Sequence, residues 1–406
     1  MTLKKPPINI PSLIWQQADW PSFVATNPAV REALLDARRK QGEVLGQANA
    51  IGLKGAQELV QSTYIQEVIS TSAIEGEILN PESVRSSVLR KLGVQVETKN
   101  LPHSIRVDGL VGIVQDAIKQ YQQGITQTTL FRWHRSIFSG AEQSLRKIKV
   151  GQYREHEDPM QIVSGRQGKE IVHYTAPPSA KVSSEMRAFL EWFEKTAPNK
   201  LSLGKGVARM DGLERAAIAH LWFESIHPFE DGNGRIGRAI VDMAMAQDAN
   251  SSIKLFSLSE EMLRQKKGYY DALNSAQHGD MEVSEWVIWF AGICAQACVT
   301  SCNFMNDAIQ KAAFWAEHEP INLNERQKKL INKLLDAGDG GFLGGVNSEK
   351  YIKITGASKA TATRDLSALV AAGMLFVTGQ GKALRYFINM PTWGHGVRWS
   401  YWEFFV

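Results

Sequence analysis

The 406-residue chain has only three cysteines. Cys294, Cys298 and Cys302 fall at i, i+4 and i+8, which stacks them on one face of a single helix. No nearby histidine or fourth thiol completes a metal set, so a reduced, buried stripe in a cytoplasmic protein is expected. Long apolar runs are missing too. The nearest to the roughly 18 to 20 residues of a membrane span, "WVIWFAGICAQACV", is interrupted by Gln296, and no membrane partner is expected. In "MTLKKPPINIPS", prolines and polar residues stand where a secretion signal has its apolar core. A dominant charge of one sign is also lacking, and a net +4 does not by itself suggest a nucleic-acid partner. There are no repeats and no low-complexity tract. The composition, 44% hydrophobic and 22% charged, is that of a globular protein long enough for two or three domains.

What is present is mostly helical patterning. Residues 28 to about 93 carry apolar positions at helical spacing, with Asn80 as an N-cap, Pro81 at N1 and Gly93 at a helix end. From 107 to 305 the helical pattern continues with one interruption. There "MQIV" and "EIVHYT", separated by "SGRQGK", read as a β-hairpin flap. Beyond 322 the order is helix, helix-turn-helix and then a hairpin around Gly-Gln-Gly, which is a winged-helix pattern. The expected organisation is an N-terminal helical region (1–106), a central domain (107–305), a winged helix (306–390) and an aromatic tail (391–406).

The segment "SIHPFEDGNGRIGRA", residues 225–239, concentrates chemistry that a packed core does not need. Asp231-Gly232-Asn233-Gly234 breaks the preceding helix, and "RIGRAIVDMAMAQ" starts the next. Unpaired backbone N–H groups at that helix start form a natural phosphate nest. Arg235 and Arg238, at i and i+3, can converge on one polyphosphate. Asp231, at the edge of the nest, can hold a magnesium ion bridging phosphate oxygens. His227 can take a proton from a hydroxyl nucleophile near neutral pH.

"HPFEDGNGRIGR" resembles, without a mismatch, the Fic-family signature His-x-Phe-x-(Asp/Glu)-Gly-Asn-Gly-Arg-x-x-Arg. With the flap and flanking helices, the resemblance covers roughly residues 60 to 295. It implies a mainly α Fic (Fido) core that transfers AMP from ATP, with Mg2+, to a hydroxyl of a target protein or of the chain itself. It further implies that His227 is the general base, Asp231 the magnesium ligand, and the run Gly232, Asn233, Gly234, Arg235, Ile236, Gly237 and Arg238 the phosphate-binding segment. Phe229 is then buried beneath the loop and Glu230 faces solvent. Gly232 favours AMP transfer over phosphorylation, because family members that phosphorylate carry a bulkier residue near there.

Three further readings follow from the resemblance. The flap supplies an exposed strand edge for a target segment, with Gln161, Ile162, Val163 and Ser164 lining the groove. "KGYYDALNSAQHGD" resembles the segment enclosing the adenine, with Tyr269 and Tyr270 as an aromatic wall and Asn274 or Gln277 at the base; core packing explains each tyrosine equally well. "TSAIEGE" (71–77) resembles the inhibitory motif (Ser/Thr)-x-x-x-Glu-(Gly/Asn) through Thr71, Glu75 and Gly76. A Glu75 reaching Arg238 would neutralise it and occupy the place of the γ-phosphate. Removal of AMP, or transfer of another phosphate-containing group, remains an alternative enzymatic reading.

Residues 324–389 hold ten Lys/Arg against five Asp/Glu. Lys359, Thr361 and Arg364 would face a DNA groove if "SKATATRDLSALVAAG" is a recognition helix, although winged helices also dock proteins. A DNA-binding regulator that senses nucleotide without turnover is therefore the non-enzymatic alternative. The tail "PTWGHGVRWSYWEFFV" is aromatic enough to need cover from the body or from a second copy of the chain, as in a homodimer.

Overall fold

Glycine punctuates the N-terminal helices. The helical pattern expected from 28 to 93 divides at Gly52, whose φ is +76°, into α1 (Ala29–Ala50) and α2 (Gly52–Ile74). The next helix, α3 (Pro81–Lys91), starts where Asn80 Oδ1 accepts from the Ser83 N–H at 3.0 Å and stops before Gly93 at φ +75°. These elements belong to a computed structural model that describes residues 13–94, 103–140, 148–165, 169–198, 210–338 and 344–390. The chain divides into two compact units, Met1–Cys302 and Asn303–Val406. The N-terminal helices do not form a body of their own, because α2 packs against α4, α8 and α9 of the first unit.

The first unit is built around two helices buried on nearly every face, α7 (Gly212–Ile226) and α8 (Asn233–Ala249). Gly212 permits their close approach, since a side chain there would overlap the Asp248 carboxylate. Around this pair lie α4 (Ile105–Lys119), α5 (Gln127–Ile137), α6 (Ser179–Lys195), α9 (Leu258–Arg264) and α10 (Lys266–Gln277). The long α11 (Ser284–Glu317) carries the unit boundary and all three cysteines, each buried, as their spacing predicts. By length and composition α11 would suffice to cross a membrane, but half of its apolar window is buried within the protein. The flap is an antiparallel pair, β1 (Gln161–Ser164) and β2 (Ile171–Thr175). The N-terminal segment braces it, as the Trp15 indole donates to the Thr175 carbonyl at 2.9 Å.

The second unit contains α12 (Glu325–Asp336), α13 (Ser348–Thr355) and α14 (Lys359–Ala371), then the hairpin of β3 (Leu375–Thr378) and β4 (Arg385–Ile388). Ser358 caps α14 by accepting from the Thr361 N–H. Leu330, Ile331, Tyr351, Leu366, Leu369 and Met374 form its dry centre. Asp365 is buried among them and satisfied by Arg326, Tyr351 and Asn324. Lys359 and Arg364 are exposed on α14 and Thr361 is half-buried. The aromatic tail from 391 lies outside the described residues.

Leu366 is fully buried, so Leu366→Ala leaves a cavity and is expected to cost about 2–5 kcal/mol. Hydrogen exchange should then accelerate across residues 325–388.

Candidate active site

His227 terminates α7 in the left-handed region, at φ 49° and ψ 62°. A histidine holds that conformation only where its surroundings fix it. The buried Arg154 does so: its Nε donates to the His227 carbonyl at 2.8 Å, and one Nη donates to the carbonyls of Ile226 and Pro177. Its backbone N–H donates to the Pro228 carbonyl at 2.9 Å. The imidazole is 16% exposed and has its Nδ1 side toward the Glu224 carboxylate, 3.8 Å away. Burial, aided by the nearby Arg154 charge, lowers the His227 pKa to about 4. The ring is thus a neutral base, with a nitrogen free to accept a proton.

The loop after His227 is closed from within. Asn233 Oδ1 accepts from the Phe229 N–H at 2.9 Å, and its amide donates back to the Phe229 carbonyl at 2.8 Å. The side chain of Asn233 thus serves as a staple, and its place in the expected nest is a matter of its backbone. Phe229 is wholly buried and stacks on His134 at 4.3 Å between ring centroids. His134 accepts from the Gly151 N–H at Nδ1 and meets the Asp231 carbonyl at Nε2, which fixes its tautomer. Gly232, at φ +83°, turns the chain into α8. Asp231 is half exposed; one oxygen accepts from the Gly232 N–H at 2.6 Å. A single carboxylate of this kind fits Mg2+, which commonly combines one or two carboxylates with substrate phosphates.

Of the expected phosphate-binding run, Ile236 and Gly237 point elsewhere. Ile236 is buried in the core, and Gly237 faces α7, where a side chain would lie 2.4 Å from Glu224 Oε1. The helical rotation that turns Arg235 and Arg238 toward residues 71–77 turns the two residues between them away from that segment. Glu230 accepts from the Lys149 N–H at 3.1 Å instead of simply facing solvent.

The segment "TSAIEGE" lies directly over this helix start. Arg238, 3% exposed, donates from Nε to Thr71 Oγ1 at 2.7 Å. Its Nη2 donates to the Thr71 carbonyl at 2.8 Å and to Glu75 Oε1 at 2.7 Å. A side chain at Gly234 would fall 2.1 Å from Glu75 Oε1, so the carboxylate rests against the backbone of the nest itself. Burial opposes the Glu75 charge, but Arg238 and then Arg235 hold its pKa below the usual carboxylate range.

A cleft of about 610 Å³ opens beside these residues, lined among others by Glu75, His227, Gly234, Gln161, Ile162 and Val163. Ser164 belongs to β1 by its backbone and pairs with Ile171; its side chain is outside the described residues. Tyr270, Asn274 and Gln277 also line the cleft. Tyr269 reaches it too, yet it is 2% exposed and its hydroxyl bonds His220 Nε2 at 2.8 Å. Its main work is in the core, and Tyr270 is the more accessible of the two, at 40% exposed.

Against known proteins, residues 124–245 match the Fic/DOC family. Those residues are a Fic/DOC domain. Residues 13–94 match a domain of unknown function (DUF4172). The Protein adenylyltransferase Fic of Nematostella vectensis is 24% identical over 224 residues, covering 55% of this chain and 45% of that protein. Protein adenylyltransferase fic-1 of Caenorhabditis elegans is 22% identical over 227 residues, covering 55% and 38%. The alignments thus span less than half the length of these curated relatives. Among solved structures, a Fic family protein from Desulfovibrio desulfuricans G20 aligns over 91% of this chain and 98% of its own at 19% identity, TM-score 0.48.

Outside the short Fic signature, residues that patterning did not single out complete the site. Arg154 lies in an irregular stretch and has no periodic signal. Glu224 looks like one more position of an apolar helix, yet it is 5% exposed, its Oε1 has no hydrogen-bond partner among the described residues, and burial raises its pKa to about 8. Glu67 of α2 is also buried, bonded to Ser257 at 2.8 Å and paired with Lys254 at 3.2 Å; Lys254 in turn pairs with Asp242 of α8.

Burial lowers the pKa of His134 to about 4 and of His220 to about 3, as it does for His227. Below about pH 6.5 the unfolded histidines bind protons that the folded ones refuse. Stability is therefore fully present above that pH and lost as pH falls toward 4. Denaturant titrations between pH 7 and 4 should show this loss, and His220→Gln should make it shallower.

Proposed function

We propose that the chain is a protein adenylyltransferase, magnesium-dependent, restrained by its own residues 71–77. The observation that carries the reading is a neutral His227 beside an α8 nest whose occupant is the Glu75 carboxylate. An anion position at a helix start, an adjacent base and a cleft edged by a strand are the parts that nucleotidyl transfer to a hydroxyl needs. The names of the curated relatives support the same chemistry.

In this reading the outer phosphates of ATP lie on the backbone of Gly232–Gly234 and on Arg238. Asp231 would hold magnesium, which would supply charge neutralisation for the phosphates. A target hydroxyl, its segment laid along β1, attacks the α-phosphorus and passes its proton to His227. The new P–O bond forms as the bond to the leaving diphosphate breaks. Val163, 46% exposed, gives the strand edge an apolar foothold for that segment.

Glu75 must leave for the γ-phosphate to reach Arg238, since both need the same guanidinium. Residues 13–94, which contain Glu75, would then act as the restraint on the catalytic domain. A second reading, removal of AMP, is favoured by one fact: Glu75 lines the same cleft as His227 and could orient a water there.

Labelling with radioactive ATP tests the assignment. Glu75→Gly should raise self- or target labelling at least tenfold, and an unchanged rate would reject the restraint. Adding His227→Ala to that variant should remove the signal, and substantial residual transfer would reject His227 as the base. The mass added to the labelled protein distinguishes AMP from any other phosphate-containing group.

A further inference from the structure

Glu75 is not the only carboxylate that "TSAIEGE" delivers to α8. Two positions later, Glu77 Oε2 meets Arg235 Nη1 at 3.0 Å, and its other oxygen pairs with Arg106 Nε of α4 at 2.7 Å. The spacing on the two sides is matched. Arg235 and Arg238 are three apart on a helix and share a face. Glu75 and Glu77 are two apart, which in an extended strand also points them the same way, but here Gly76 at φ +81° turns the chain between them. Nothing lies within 4 Å of a side chain built at Gly76, so glycine is required there by backbone conformation and not by space.

Arg235 is buried to 7% and has few ways to discharge its cation locally. Besides Glu77 it has Asp231 at 3.6 Å and the face of Phe138 at 5.9 Å. Its Nε, like Arg238 Nη1, is buried without a hydrogen-bond partner among the described residues. Both guanidiniums thus keep donor capacity that the restraining carboxylates leave unused. A phosphate, with more acceptor oxygens and more charge than a carboxylate, can use it.

We propose that the carboxylate of Glu77 occupies a second anion position, framed by Arg235 and Arg106, which takes a second phosphate of the nucleotide, beside the one at Arg238, when the segment withdraws. Arg106 is then a binding residue contributed from outside the Fic signature, and the segment closes the site with two latches. The proposal rests on the reading that the site takes a polyphosphate; it does not require that AMP be transferred.

The test is calorimetric binding of inorganic tripolyphosphate, and of ATP, to the full chain carrying Glu75→Gln, Glu77→Gln, both together, or both with Arg106→Gln. Glu77→Gln alone should tighten tripolyphosphate binding about tenfold, and the pair should tighten it further. Arg106→Gln on the double variant should then weaken it about fivefold. If Arg106→Gln unfolds the chain, Arg106→Lys replaces it and should weaken binding to a smaller extent. Unchanged affinity in Glu77→Gln overturns the second latch, and unchanged affinity on altering Arg106 in the double variant overturns the phosphate position. Absence of labelled product alongside the expected binding pattern would reject AMP transfer and leave this inference standing.

Discussion

Arg238 is a guanidinium in the interior, and guanidinium does not shed its proton there to escape the cost of burial. Something negative must always stand opposite it. That requirement organises the site: α8 has to begin where an anion can reach, and α2 has to end where it can supply one. Thr71 contributes a hydroxyl and a carbonyl to the same cation, so the restraint is a fitted receptacle with three acceptor groups. An incoming phosphate competes with acceptors already in place on Nε and Nη2, and not with water.

The catalytic loop is rigid for a related reason. Asn233 staples it to Phe229, Arg154 gathers the carbonyls around His227, and His134 supports it from beneath. These side chains spend their polar atoms mainly on backbone groups, with Arg154 Nη1 donating instead to Ser179 Oγ at 2.9 Å. The turn is therefore held by bonds that need no ligand, and the donors of the nest are oriented in advance. What can change is the lid of charge above it.

How much of this was legible in the sequence depended on whether the signal was local. The helix cap at Asn80, the flap strands and the burial of the cysteines follow from neighbouring residues, the burial of Phe229 from the resemblance, and the structure contains them. The pairing of Glu75 with Arg238, across 163 positions, came from the motif resemblance and not from periodicity. Arg154, Glu77 and Arg106 carry no such marker: each is an ordinary charged residue until the fold brings a carbonyl or a counter-ion to it. Ile236 and Gly237 were misassigned because a linear motif does not say which residues of a helix turn inward. The use of the Asn233 side chain as a loop staple had no marker either, because one amide can serve a ligand or its own loop.

The buried Glu67, two turns before Glu75, changes what withdrawal of the restraint can mean. Serines of the α9 start and Lys254 hold it, and Lys254 also grips Asp242, one turn beyond Arg238. The body of α2 is therefore fastened to α8. Under the proposed restraint, the part that would move is reduced to a chain end, the last turn of α2 and the Gly76 corner, hinged at a fixed point. A device of that size can be tripped by whatever touches residues 71–77, and the hydrophobic interior need not open for it to work.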